Sequence, residues 1–186
     1  MEDSKIVQLY WDRHPDAIPA TSRKYGRYLS SIAINILSNR EDAEECVNDA
    51  YLKAWNAMPP HRPSLLSTFL GKITRNLSLN RYQYNTAQKR GNGQAALVLD
   101  ELADCVSGAD STQQELDRRE LARAIDAFLD ALPSEKRCIF LRRYWYFDSI
   151  RDIARRAGKT DNHVSVILNR LRKDLRAYLT ERGFDL

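Results

Sequence analysis

Residues 41–60, EDAEECVNDAYLKAWNAMPP, decide how this chain folds. Ala43, Cys46, Val47, Ala50, Tyr51, Ala54, Trp55 and Met58 recur at spacings of three and four, the signature of one apolar stripe on an amphipathic helix. The acids Glu41, Asp42, Glu44 and Glu45 fall in its first turns, where they favour the positive end of the helix dipole. Ser38, three residues before Glu41, is the expected capping box. Pro59, Pro60 and Pro63 then stop the helix, since each ring removes a backbone donor and restricts the residue before it. Asn48, Asp49 and Lys53 continue the polar face beyond the terminal turn, and the dipole does not account for them.

The same period extends to both sides. Tyr28, Leu29, Ile32, Ala33, Ile36 and Leu37 form a stripe upstream, and Leu66, Phe69, Leu70, Ile73 and Leu77 form another downstream. Three long helices with short connections pack as an antiparallel bundle. The segment from His61 to Gly93 holds six Lys/Arg and no carboxylate. Within it Lys72, Arg75, Asn76, Leu79 and Gln83 fall along one flank, followed by Tyr82, Tyr84, Lys89 and Arg90, while Asn80 lies near the core stripe by helical angle. Cations, amides and aromatics together suit phosphate backbone and unstacked bases. A solubilising surface is the competing reading, and the lack of any carboxylate counts against it.

Charge is sorted along the whole chain. Residues 1–60 carry seven basic and nine acidic side chains, 61–93 six and none, 94–132 three and nine, and 133–186 thirteen and seven. Two basic blocks separated by an acidic one suggest two contacts with phosphate. Residues 94–113, flanked and interrupted by Gly93 and Gly108, read as a flexible linker with a short helical turn at LVLDELAD.

After it, Leu121, Ile125, Phe128, Leu129 and Leu132 set a helix that Pro133 ends. Ser134 caps the next, with Cys138, Leu141 and Trp145 expected on its inner face. SIRDIARRAG follows, with Ser149 and Asp152 at N-cap and N3 and Gly158 as its stop. A longer helix then runs from about Asp161 to Tyr178 on a Val164, Leu168, Leu171 and Leu175 core stripe. The tight turn Gly158-Lys159-Thr160 makes the pair a helix-turn-helix. Asn162, Val166, Asn169 and Lys173 occupy the outer side of the last helix, with His163, Ser165, Arg170 and Arg172 on its flanks. Amides and cations so placed can read base edges in a major groove, and Arg151, Arg155, Arg156 and Lys159 add phosphate-seeking charge. An ordinary solvated helix face is the plainer alternative.

Other chemistry finds little support. Cys46, Cys105 and Cys138 are far apart, odd in number and without a CxxC pair, against a disulfide framework or zinc site. His14, His61 and His163 are scattered, and no phosphate loop, GxSxG elbow or HExxH run occurs. A non-enzyme without metal or cofactor is expected. No run of 18 apolar residues and no apolar stretch behind an N-terminal positive charge exist, so a cytoplasmic protein with no membrane insertion is expected.

DAEECVNDAYLKAWNAMPP followed by FLGKITRNLSLNRYQ resembles conserved region 2 of bacterial sigma-70-family factors of the extracytoplasmic-function (ECF) group. ALPSEKRCIFLRRYWYFDSIRDIARRAGKTDNHVSVILNRLRKDL is similar to region 4 of the same group, and the two together cover about two thirds of the chain in the right order. The resemblance implies an all-α protein of two small helical domains: region 2 over 1–93, the linker 94–113, and a region 4 helix-turn-helix over 114–186. It implies that Asp42, Glu45, Asn48, Asp49 and Lys53 meet the coiled coil of the polymerase β′ clamp. It further implies that the loop from Asn56 to Ser67 and the helix with Lys72, Arg75, Asn76, Asn80 and Gln83 bind and melt the minus-10 element and hold a flipped base. Arg155, Arg156, Lys159, Asn162, His163, Val166, Asn169, Arg170 and Lys173 then serve the minus-35 element, and region 4 also meets the β flap. The resemblance allows for an anti-sigma factor as well. Two departures stand out: the loop AMPPHRPSLLST is proline-rich where many members carry a Gly/Asp-rich turn with an aromatic, and Val166 and Ile167 stand where many place Arg or Ser.

The expected function is binding core RNA polymerase and directing promoter-specific initiation. The alternative is a stand-alone helix-turn-helix regulator with a dimerisation or ligand domain in front, which has no reason to follow an acidic helix with an acid-free segment.

Overall fold

A computed structural model describes residues 1–88, 94–106 and 114–184. The described residues are helical with no strand, in two compact units, Met1–Ala95 and Ala96–Leu186.

In the first unit α1 (Asp3–Trp11) lies on α2 (Ala17–Leu37), and α2, α3 (Arg40–Ala57) and α4 (Leu66–Gln88) pack on one another. Their stripes meet as expected: Leu29, Ala33, Cys46, Ala54, Met58, Leu66 and Leu70 are buried together, joined by Ile6, Val7 and Tyr10 of α1. The sequence pattern did not bring out α1 or the first two turns of α2. Pro19 sits in the opening turn of α2, where a missing N–H removes no intrahelical bond. Gly71 has a packing reason: a Cβ there would lie 2.5 Å from the Tyr28 hydroxyl of α2, so any larger residue would have to displace that side chain.

The cap of α3 differs from expectation. Ser38 is the left-handed C-terminal residue of α2, with φ 53°, and so cannot cap the helix that follows. Asn39 does so instead, its Oδ1 accepting from the Asp42 N–H at 3.1 Å.

α5 (Gln94–Val106) begins at the unit boundary and, from Ala96 on, belongs to the second unit, where α6 (Gln114–Ala131), α7 (Ser134–Tyr144), α8 (Ile150–Ala157) and α9 (Asp161–Thr180) follow. α9 packs on α6, α7 and α8. The expected turn at LVLDELAD is thus part of a thirteen-residue helix. Residues 107–113 of the expected linker, and Lys89, Arg90, Gly91 and Gly93, lie outside the described residues.

The inner face of α7 is rotated from the expected one. Cys138 is exposed and Leu141 and Trp145 only half-buried, whereas Ile139, Phe140, Arg143 and Tyr144 are buried. The expected face differs in phase from the observed one, which includes a buried arginine that the apolar pattern does not count. Arg143 is 1% exposed, and its guanidinium is satisfied by Glu101 of α5. Phe147 follows at φ 57° and fully buried, a left-handed turn of a bulky residue held by its packing between α7 and α8.

Candidate nucleic-acid and polymerase interfaces

On α3 the five residues expected to meet a protein partner divide into two groups. Asn48, Asp49 and Lys53 are exposed on the outer face, with Leu52, 56% exposed, among them at the spacing of one turn. Asp42, half-buried, and Glu45, still exposed, are both paired with α4. Arg81 of α4 pairs with Glu45 at 2.5 Å and reaches Asp42 at 3.9 Å, and Asn85 Nδ2 donates to Asp42 Oδ2 at 3.1 Å. Hydrogen bonding to Glu45 raises the Arg81 guanidinium above its ordinary value. Part of the charge sorting in the sequence is therefore internal: the acidic start of α3 faces the end of the acid-free α4. Glu44 pairs with Arg40 at 2.8 Å along the same helix.

Beside this face runs a groove of about 670 Å³ between α2 and α3, bordered by Gly26, Arg27 and Ile34 on one side and Glu44, Asn48 and Tyr51 on the other. Ile34 is 42% exposed there. Ile34 and Leu52 were not singled out from the sequence, although each breaks its helix's polar face, which is a legible signal.

On α4, Lys72, Asn76, Asn80 and Gln83 are all exposed, and their spacings of four, eight and eleven place them in one row. Asn80 was expected near the core stripe; its flank instead borders an open cavity of about 320 Å³ with Cys46, Asp49, Leu77, Arg81 and Tyr84. Arg75 stands off the row, half-buried, and burial lowers its guanidinium from the ordinary value. Tyr84 is 62% exposed and Tyr82 half-buried. Burial raises the Cys46 thiol, which keeps it protonated and inert beside the cavity.

The loop between α3 and α4 is anchored at both ends by Met58 and Leu66, each fully buried. Its outer residues His61, Arg62, Ser64 and Leu65 are exposed, Leu65 by 64%.

In the second unit the helix-turn-helix forms as the pattern predicts. Ser149 Oγ accepts from the Asp152 N–H at 3.1 Å, and Gly158 ends α8 at φ 62°, the left-handed conformation that favours glycine. Thr160 Oγ1 accepts from the His163 N–H at 3.2 Å and starts α9. Val164, Leu168, Leu171 and Leu175 are buried, while Asn162, His163, Val166, Asn169, Arg170 and Lys173 are all exposed. The structure thus brings the expected base readers together on one accessible face. The cations before them are less alike. Arg156 is exposed, Arg155 pairs with Asp152 at 2.6 Å, and Lys159 pairs with Glu135 of α7 at 2.9 Å. The Lys159 hydrogen bond holds the Glu135 carboxyl below its usual range.

Arg172, read as a flank residue of α9, turns inward. Its Nη1 lies 2.8 Å from the Tyr144 hydroxyl and 3.3 Å from Glu101 Oε2. Glu101 also takes a two-pronged hydrogen bond from Arg143, at 2.7 and 3.1 Å, and one from Tyr144 at 3.2 Å. One carboxylate of α5 therefore ties α7 to α9, and no spacing in the sequence signalled it.

Residues 22–88 match the Sigma-70 region 2 family model. That span contains α2, α3, the proline-rich loop and α4, so it is the helical bundle of the first unit that matches a sigma-70 region 2 domain. The chain is similar to the probable RNA polymerase sigma factor RfaY of Xanthomonas campestris pv. campestris, with 26% identity over 176 residues, covering 90% of this chain and 43% of that protein. The chain thus spans less than half the length of this curated relative. No helix among the described residues is long and apolar enough to cross a membrane.

Proposed function

We propose that the chain is a sigma factor of the ECF group that binds core RNA polymerase and directs it to a class of promoters. The observation that carries this reading is a sigma-70 region 2 bundle followed, in the same chain, by a separate helix-turn-helix unit whose outer face is accessible. Asn48, Asp49, Leu52 and Lys53 are the surface for the β′ clamp coiled coil, with Asp42 and Glu45 shaping it through Arg81. An exposed leucine among polar groups gives such a contact its apolar centre, and the charges steer the encounter.

Lys72, Asn76, Asn80 and Gln83 follow one strand of the minus-10 element, and the loop before them takes an unstacked base. Unstacking costs a few kcal/mol, which phosphate and pocket contacts offset. α9 enters the major groove at the minus-35 element, with Asn162, His163, Val166 and Asn169 toward base edges and Arg155, Arg156, Lys159, Arg170 and Lys173 toward phosphate. The second unit also meets the β flap, and the protein works in the cytoplasm beside the polymerase.

The test is run-off transcription with purified core polymerase over a pool of promoters. Initiation that depends on this protein at a defined subset supports the reading. DNA binding without any dependence of initiation would replace it with a stand-alone regulator.

A further inference from the structure

The loop from Met58 to Leu65 carries contacts that its own sequence does not supply. Trp11, the last residue of α1, donates its indole N–H to the His61 carbonyl at 3.3 Å. The Arg62 guanidinium lies over the Trp11 ring, 5.1 Å from its centre, and donates to Gln8 Oε1 one turn back on α1. Arg13, in a left-handed turn at φ 53°, donates to the Trp55 carbonyl at 2.7 Å and stacks its guanidinium 5.1 Å over the Trp55 ring. That carbonyl belongs to the last turn of α3, where helix carbonyls lack intrahelical partners. Trp55 in turn meets the edge of Tyr10 at 6.1 Å.

Four side chains from residues 8–13 thus grip both the end of α3 and the loop that leaves it. Buried Met58 and Leu66 fix the loop's ends, and Pro59, Pro60 and Pro63 restrict its dihedrals. Two stretches are left between these restraints, His61–Arg62 and Ser64–Leu65, and Trp11 and Gln8 attach at the first. Trp11 and Trp55 also pack against the edge of the bundle core, whose centre holds Ile6, Val7 and Tyr10, whereas Gln8 and Arg62 are exposed and stand outside that core.

We propose that α1 is a splint for the strand-capturing loop, and that Trp11 and Gln8 are positioning residues for promoter opening. The proposal rests on the sigma-factor reading of the loop given above. A mobile loop must lose conformational freedom when it takes a base out of the stack, whereas a loop held in place beforehand has already lost it. The splint holds the exposed edge of Ser64 and Leu65 at one height against the DNA, and it holds the Arg62 guanidinium beside that edge.

The experiment uses the full chain with core polymerase and two DNAs, a fully paired promoter and the same promoter with a pre-melted bubble. Each is prepared with the four bases at the captured position. Trp11→Leu combined with Gln8→Ala removes the indole N–H, the ring under Arg62 and the amide, and keeps an apolar side chain at position 11. Open complex on the paired promoter, read by permanganate reactivity, is expected to fall roughly tenfold or more, the scale set by removing two hydrogen bonds and one exposed cation–π interaction at once. Preference among the four bases on the bubble is expected to flatten, while core affinity and helical content stay as in the wild type. Trp11→Phe, which keeps the ring under Arg62, should recover part of the preference. Unaltered base preference together with unaltered opening overturns the splint, as does a loss of core affinity equal to the loss of opening, which marks a purely structural helix. Absence of protein-dependent initiation with the wild type would instead defeat the sigma-factor reading itself.

Discussion

Removing the carboxylate of Glu101 tests whether α5 is a working part of the helix-turn-helix unit. The side chains of Arg143 and Glu101 are 2% and 18% exposed, so the pair is almost out of water. Breaking such a pair from one side leaves an uncompensated buried charge and costs about 3 to 5 kcal/mol. A domain's whole stability is about 5 to 15 kcal/mol, so Glu101→Ala removes a large share of it. For a unit of this size the thermal midpoint should drop by at least about 12 °C. Hydrogen exchange on the full chain locates the effect. Amides of α7 and α9 should open about a hundredfold more often, or beyond, since every 1.4 kcal/mol is tenfold, while those of α2 to α4 keep their protection. The double variant Glu101→Leu with Arg143→Met should regain most of the loss, because an apolar pair needs no counter-charge. Arg172 then keeps the Tyr144 hydroxyl and some solvent, being 24% exposed. If Glu101→Ala leaves α7 and α9 protection within threefold of wild type, the carboxylate does not tie the unit together and the buried Arg143 must be satisfied by other means.

Replacing Asp49 by Lys should weaken binding to core polymerase in a titration at moderate salt without changing helical content; Glu45→Lys should also lower stability, since it sets a cation against Arg81. Asn76→Ala and Asn80→Ala should impair opening of a fully paired promoter more than use of a pre-melted one, and equal permanganate reactivity on both would remove these residues from the melting site. Asn162→Ala and Asn169→Ala should each cost about 1 to 3 kcal/mol at particular upstream base pairs in a randomised promoter library, whereas Arg170→Ala should weaken all sequences alike and flatten the salt slope by about one unit. Burial chiefly, with Glu101 nearby, pushes the Tyr144 hydroxyl up to about 12 despite the opposing pull of Arg172. A raised folded value gives a contribution fully present below the unfolded value of about 10 and lost as pH rises toward 12, so the second unit's unfolding midpoint should fall across that window, and Tyr144→Phe should lessen the fall.

Local pattern alone was enough for the helices with one clean stripe. Periodicity placed α3, α4 and α9 and their buried faces, and cap chemistry placed the boundaries of α8, because both depend on residues within a turn or two of one another. It also marked the exposed row on α9 and, on α4, Lys72, Asn76 and Gln83, since a polar residue opposite an apolar stripe has nowhere to go but outward, but it misplaced Arg75 and Asn80, which stand near the edge of the stripe. What failed was whatever depended on a partner distant in the chain. Arg143 was not among the residues expected on the inner face of α7, and only a carboxylate forty-two residues earlier makes its burial tolerable. The phase of α7 went astray with it. The acid-to-base contrast across α3 and α4 pointed outward in the sequence, yet Arg81 turns part of it into an internal bridge. Trp11 and Gln8 carried no signal, since their partners lie some fifty residues downstream in the loop. Helix formation is a local balance and can be read locally. Whether a charge faces water or another charge is settled only when the chain closes on itself.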